Sequence, residues 1–91
     1  LAPTPNIDRL AARGVLFRQA FVENSLSTPS RACLMTGLYS HQNGQRQLGK
    51  GIDTTKVFFS EILQQHGYQT AVVGKWHMQC EPKGFDYYQV L

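Results

Sequence analysis

Ser27 and Arg31 stand four residues apart in the run Ser27-Thr28-Pro29-Ser30-Arg31-Ala32-Cys33-Leu34-Met35-Thr36-Gly37. On a helix that spacing sets a candidate nucleophile beside a guanidinium at the positive end of the helix dipole, an arrangement that holds an anion. A plainer use of the same residues is also open: Ser27 or Thr28 caps the helix and Arg31 is a solvated charge. For an S-x-P-S-R run standing alone the cap is sufficient. A second pair, Lys75 and His77, is separated by two and projects to one side of an extended chain, where both could face one pocket. Its plain alternative is a lysine in solvent and a histidine packed under Trp76. The presence of both pairs, in this order around an apolar strand, favours chemistry over the plain alternatives.

These residues need elements to position them. Thr4 before Pro5 is an N-cap followed by proline at the first helical position, and Ile7, Leu10 and Ala11 predict a short amphipathic helix ending at Gly14. Val15 to Val22, with Phe17 and Phe21 around Gln19, predicts a half-buried strand. Pro29 to Thr36 predicts a second helix, stopped by Gly37 and apolar enough around its circumference to be buried. Asp53 to Thr55 predict caps for a helix carrying Phe58, Phe59, Ile62, Leu63 and His66, ended by Gly67. Thr70-Ala71-Val72-Val73-Gly74 then reads as a central parallel strand covered on both faces, with Lys75, Trp76 and His77 at its carboxyl end, where ligands collect in α/β sheets. Gly84-Phe85-Asp86-Tyr87-Tyr88 reads as an aromatic turn or short segment beyond. The fold class expected is therefore α/β.

The chain has 91 residues, 42% of them hydrophobic, enough for one small unit, and we expect residues 1–91 to be a single partial domain. No apolar run approaches the length of a membrane span, and no signal-peptide pattern is visible at the start. The net charge of +3 comes from basic residues scattered from Arg9 to Lys83 without a cluster, which argues against nucleic acid as a partner. Cys33 and Cys80 match no metal or redox spacing; Cys33 is expected to pack as a small apolar residue, with a disulfide the minor alternative.

With these residues in hand the chain resembles the sulfatase family of the alkaline phosphatase superfamily, over nearly its whole length. Thr4-Pro5-Asn6-Ile7-Asp8-Arg9-Leu10-Ala11 with Gly14 is similar to the family's opening helix. Ser27-Thr28-Pro29-Ser30-Arg31 with Thr36-Gly37 is similar to its first signature, and Gly67-Tyr68-Gln69-Thr70 to Gly74-Lys75-Trp76-His77 to its second. The resemblance implies an amino-terminal portion of a sulfatase catalytic domain, part of a mixed, mostly parallel sheet flanked by helices. It also implies that Ser27 is converted by a formylglycine-generating maturation enzyme to formylglycine, whose hydrate attacks sulfur, releases the alcohol and expels sulfate as the aldehyde re-forms. By family position Arg31 holds the formylglycine, Lys75 binds the sulfate and His77 hydrogen-bonds the formylglycine hydroxyl. The family's calcium ion takes oxygen ligands, of which position 27 is the one that can be placed here. The remaining aspartate and asparagine ligands, and a second lysine and histidine, have no counterpart in this chain, so the fragment alone is expected to be inactive.

Serine in place of cysteine at position 27 is a variant the family uses chiefly in bacteria, which implies a periplasmic or secreted bacterial enzyme. An engineered change that blocks maturation would give the same sequence. His41, Gln42, Asn43, Arg46 and Gln47 lie in a polar loop between Leu38 and Asp53 that either lines the pocket for a sulfated small molecule or glycan, with His41 and Asn43 as the candidate contacts, or is simply solvated. The expected activity is sulfuric ester hydrolysis, on a carbohydrate. The alternatives are a phosphonate or phosphodiester hydrolase of the same superfamily and a non-catalytic anion-binding module in which Ser27 stays unmodified.

Overall fold

A computed structural model describes residues 2–91. Four helices and two strands follow in the order α1 (Pro5–Arg13), α2 (Ser27–Thr36), α3 (Ser40–Asn43), α4 (Phe59–Gln65), β1 (Ala71–Gly74) and β2 (Tyr87–Val90). The two strands pair in parallel, with Ala71 opposite Tyr87 and Gly74 opposite Val90. Ala32 and Met35 of α2 meet Ile52, Phe58, Trp76 and Met78 in the core, with Val72, Cys80, Phe85 and Val90 packed against it. Burial of these side chains is the main term holding the helix against the strand end. Among the described residues no helix is long and apolar enough to cross a membrane.

Several expectations are met. Proline opens α1, which ends before Gly14, and Gly37 closes α2 in the left-handed conformation (φ 66), its N–H donating to the Cys33 carbonyl at 2.9 Å. Cys33 is buried and both cysteines are free thiols, so the disulfide alternative is set aside.

Others are corrected. The segment 15–22 forms no strand, and Phe17 and Phe21 are exposed: alternation makes a strand only where a neighbouring strand takes up the backbone groups, and none is present among the described residues. The second helix begins at Ser27, with extended Leu26 as its N-cap, so neither Ser27 nor Thr28 caps it through a side chain. Its circumference is not wholly buried, since Leu34 faces out. Asp53 accepts from Thr55 N–H (3.0 Å) and hydroxyl (2.6 Å) in a turn, and α4 starts only at Phe59. The aromatic segment 84–88 runs into β2 at Tyr87, and β1 alternates between exposed and half-buried residues instead of being covered on both faces.

The return from α4 to the sheet is tied by side chains. Glu61 accepts from the Phe58 N–H at 2.7 Å and pairs with Lys83 at 3.0 Å, and that ammonium also donates to the carbonyls of Thr54 (2.8 Å) and Lys56 (2.6 Å) and lies 4.7 Å above the Phe58 ring. Gly84 follows at φ 76, where an added Cβ would stand 2.5 Å from the Glu61 nitrogen. Thr70, just before β1, donates its N–H to Asp86 Oδ2 at 2.8 Å and its hydroxyl to the Gly84 carbonyl at 2.7 Å. These bonds fix the register in which β2 meets β1, and with it the point at which the chain leaves β1 toward Lys75.

Candidate active site

The N-terminus of α2 is built before its chemistry begins. Asn24 Oδ1 accepts the Leu26 N–H at 3.0 Å and turns the chain into the helix, and the Ser30 N–H donates to the Leu26 carbonyl at 2.8 Å. Pro29 sits in the first turn, where its missing N–H costs nothing. Thr28, Pro29, Ala32, Cys33 and Met35 are buried, so the helix cannot roll, and its first residue, Ser27, is left half-buried at the rim. The helix end contributes its partial positive charge there, and no acidic residue in the first turn opposes it.

Against this helix end lies the segment that follows β1. His77 Nδ1 is 3.1 Å from Ser27 Oγ, and Arg31 Nε donates to the same oxygen at 3.5 Å. Arg31 Nη1 donates to the Lys75 carbonyl at 2.6 Å, so one guanidinium joins the hydroxyl to the strand end. An imidazole carrying its proton on Nε2 accepts the Ser27 O–H at Nδ1, and one protonated at Nδ1 donates to an oxygen bearing negative charge. With a permanently charged guanidinium on its other side, the oxygen at position 27 can give up a proton and keep the charge that results.

Lys75 and His77 are not related by strand alternation. The two were expected on one side of an extended chain, but His77 is left-handed (φ 55), as is Gln79 (φ 54), so period-two alternation does not hold here. A residue other than glycine in that region costs roughly 1–3 kcal/mol and persists where its surroundings enforce it. Here the surroundings are visible. Thr28 Oγ1 donates to the His77 carbonyl at 2.9 Å, Ile52 N–H to the Met78 carbonyl at 3.3 Å, and the Trp76 indole to the Cys80 carbonyl at 2.7 Å. Trp76 is buried edge-on against Phe85, and it is this tryptophan, not the histidine, that the core takes. Lys75 is exposed and, with Arg31, Leu34, Met35 and Trp76, borders a cavity of about 250 Å³.

The structure thus brings Ser27, Arg31 and His77 together, with Lys75 joined through its carbonyl. It does not bring the loop candidates to them. Asn43, expected to contact substrate, is 1% exposed and turned inward: its amide donates to the Leu38 carbonyl at 3.0 Å and its Oδ1 accepts the Gln45 N–H at 2.8 Å. It borders a polar hollow with Gln42, Gly44, Lys50, Gly51, Asp53 and Lys56 that includes none of the four catalytic candidates. His41 stacks on Tyr39, their ring centres 5.7 Å apart, Gln42 accepts the Tyr39 N–H, and Arg46 and Gln47 are exposed. Sequence reasoning missed Gln45, whose buried amide donates to the carbonyls of Gln47 and Lys50 and folds the loop; nothing in its spacing marked it.

A side-chain oxygen flanked by an imidazole and a guanidinium suits a formylglycine hydrate as well as it suits serine. Among the described residues no three His, Cys, Asp or Glu side chains converge, so these residues by themselves do not complete a site for a calcium ion. Position 27 could offer such an ion one oxygen.

A family model described as Sulfatase matches residues 1–89. The chain is 46% identical, over its full length, to an N-acetylglucosamine-6-O-sulfatase of Bacteroides thetaiotaomicron, of which it covers 16%. It is 40% identical to the human steryl-sulfatase over 88% of its own length and 16% of that protein. A solved structure described as a complex with its substrate D-glucosamine-2-N,6-O-disulfate superposes with a TM-score of 0.86 at 47% identity, over 93% of this chain and 17% of that one. The chain therefore spans about a sixth of the length of the relatives it matches.

Proposed function

The chain belongs to the sulfatase family, with its alkaline phosphatase-like fold, and from that premise we propose that it supplies the nucleophile's part of a hydrolase cleaving a sulfate ester from a carbohydrate. The observation that carries this is the placement of the position-27 oxygen between His77 Nδ1 and Arg31 Nε at the positive end of α2. The sugar is favoured by relatives named for 6-O-sulfated hexosamines and by the neighbour solved with a sulfated glucosamine.

A formylglycine made from Ser27 supplies, as its hydrate, an oxygen nucleophile for sulfur and a second hydroxyl whose collapse to the carbonyl releases sulfate, which a plain serine lacks. The chain's own residues do the rest. His77 Nδ1 holds or returns the proton of the position-27 oxygen. Arg31 offsets the charge on that oxygen and fixes the Lys75 backbone beside it. Lys75, exposed at the strand end, presents its ammonium to the sulfate. Charge stabilisation of this kind is commonly the leading catalytic contribution.

The test uses the whole enzyme with a 6-O-sulfated N-acetylhexosamine, an aryl sulfate and an aryl phosphonate. Sulfate turnover well above phosphonate turnover is expected; the reverse order would assign the site to phosphonate or phosphodiester hydrolysis. A peptide mass showing only unmodified Ser27 would make it an anion-binding module.

A further inference from the structure

We propose that Thr28 is a positioning residue for the reaction, acting through His77; the inference rests on the sulfatase reading and adds to it a residue that does not touch the reacting atoms. Thr28 directly follows the nucleophile position and is 2% exposed. Its hydroxyl is not used as a helix cap, although a threonine in the first turn could cap. It donates instead to the main-chain carbonyl of His77 at 2.9 Å, across 49 positions of sequence. The residue whose carbonyl it holds is left-handed, and the imidazole of that same residue stands 3.1 Å from Ser27 Oγ. Two neighbouring residues of α2 therefore grip one residue of the facing segment, one by its backbone and one by its ring. The ring grip alone leaves the imidazole free to swing about its own side-chain torsions and backbone. The backbone grip limits the backbone part of that freedom, by anchoring the carbonyl of a residue held at positive φ, a conformation uncommon outside glycine. Arg31 acts in parallel two residues earlier, on the Lys75 carbonyl, but does not constrain His77 itself.

Valine is the closest match to threonine in shape and lacks the hydroxyl, so Thr28→Val removes the grip and little else, while Thr28→Ser keeps it. The experiment is a double-mutant cycle in the whole enzyme, with Thr28→Val, Thr28→Ala and Thr28→Ser each made alone and with His77→Ala. Rates on the sulfated sugar are normalised to the fraction of position 27 converted, read by peptide mass. We expect Thr28→Val and Thr28→Ala to lower kcat about tenfold with KM little changed, the size expected when a catalytic group is held slightly out of place. Thr28→Ser should recover most of the rate, and in the His77→Ala background the valine change should have no further effect. Equal losses in both backgrounds, or a serine variant as slow as the valine, would make Thr28 a packing residue and overturn the proposal. A second readout is independent of turnover: in a crystal structure of the valine or alanine variant, His77 should leave the left-handed region or move its ring out of reach of residue 27. An unmoved His77 refutes the positioning role, whereas an unmutated enzyme inert toward every sulfate ester refutes the sulfatase reading instead.

Discussion

At the scale of single residues, the candidate site is one oxygen with an imidazole and a guanidinium within reach of it, and a lysine whose backbone carbonyl is tied to that same guanidinium. Arg31→Ala in the whole enzyme should lower kcat about 10²-fold or more, since it removes a charge-stabilising donor, and Lys75→Ala should do likewise. Steady-state kinetics with unchanged circular dichroism would separate this from unfolding; near-normal rates would withdraw the assigned roles. Conversion of Ser27 should appear as a loss of about 2 Da from the tryptic peptide that contains it. The types and spacing of Ser27, Arg31, Lys75 and His77 were readable in the sequence, because chemistry constrains residue type directly. The left-handed backbone of His77 was not, because nothing in Lys75-Trp76-His77-Met78 requires a positive φ. That conformation is imposed from across the fold by Thr28 and Ile52, and by the burial of the adjacent Trp76 in the core, which neither period nor propensity registers.

Between elements, the return from α4 to the sheet bears the geometry of the strand end. Gly84→Ala combines a positive φ with a Cβ placed 2.5 Å from backbone, and should destabilise the protein by about 2 kcal/mol or more. Chemical denaturation of the whole protein measures it, and an unshifted midpoint would show that the 83–85 backbone gives way easily. The Phe58 N–H first, and the Lys83 ammonium after it, hold the Glu61 carboxyl below its ordinary value of 4.5. A lowered folded-state value means the stabilisation is complete above that ordinary value and is lost as pH falls through the folded one. Acid unfolding below about pH 4.5 should therefore be shallower for Glu61→Gln than for the unmodified protein, and identical profiles would count against the linkage. Helices α1 and α2 and the body of α4 were legible because proline, glycine and apolar spacing punctuate them locally, whereas the single turn of α3 lies inside what read as a polar loop. The strands were harder. Val15 to Val22 has the alternation of a strand without a partner, whereas Tyr87–Val90 becomes one because Thr70 and Asp86 align it with β1.

For the molecule as a whole, the described chain has an accessible area of 7169 Å² and a radius of gyration of 15.6 Å. A closed globule of this mass would expose about 5,400 Å² and measure about 12 Å in radius. The excess lies in apolar side chains such as Leu10, Phe17, Phe21, Leu34 and Val73, all more than 65% exposed. The isolated 91-residue chain should accordingly bind a hydrophobic dye and unfold without a sharp transition. A cooperative thermal transition of the chain alone would show that its six-residue core suffices. The contact between Ser27 and His77 spans 50 positions, and on a ribosome that separation is also an interval. At about 5–20 residues per second, position 27 is synthesised some 3–10 seconds before the histidine that will engage it. Through that interval its hydroxyl lies on a strand of open chain, without imidazole, with Thr28 and Pro29 not yet buried. A maturation enzyme acting then meets a linear peptide, and one arriving later meets a half-buried oxygen already spoken for on both sides.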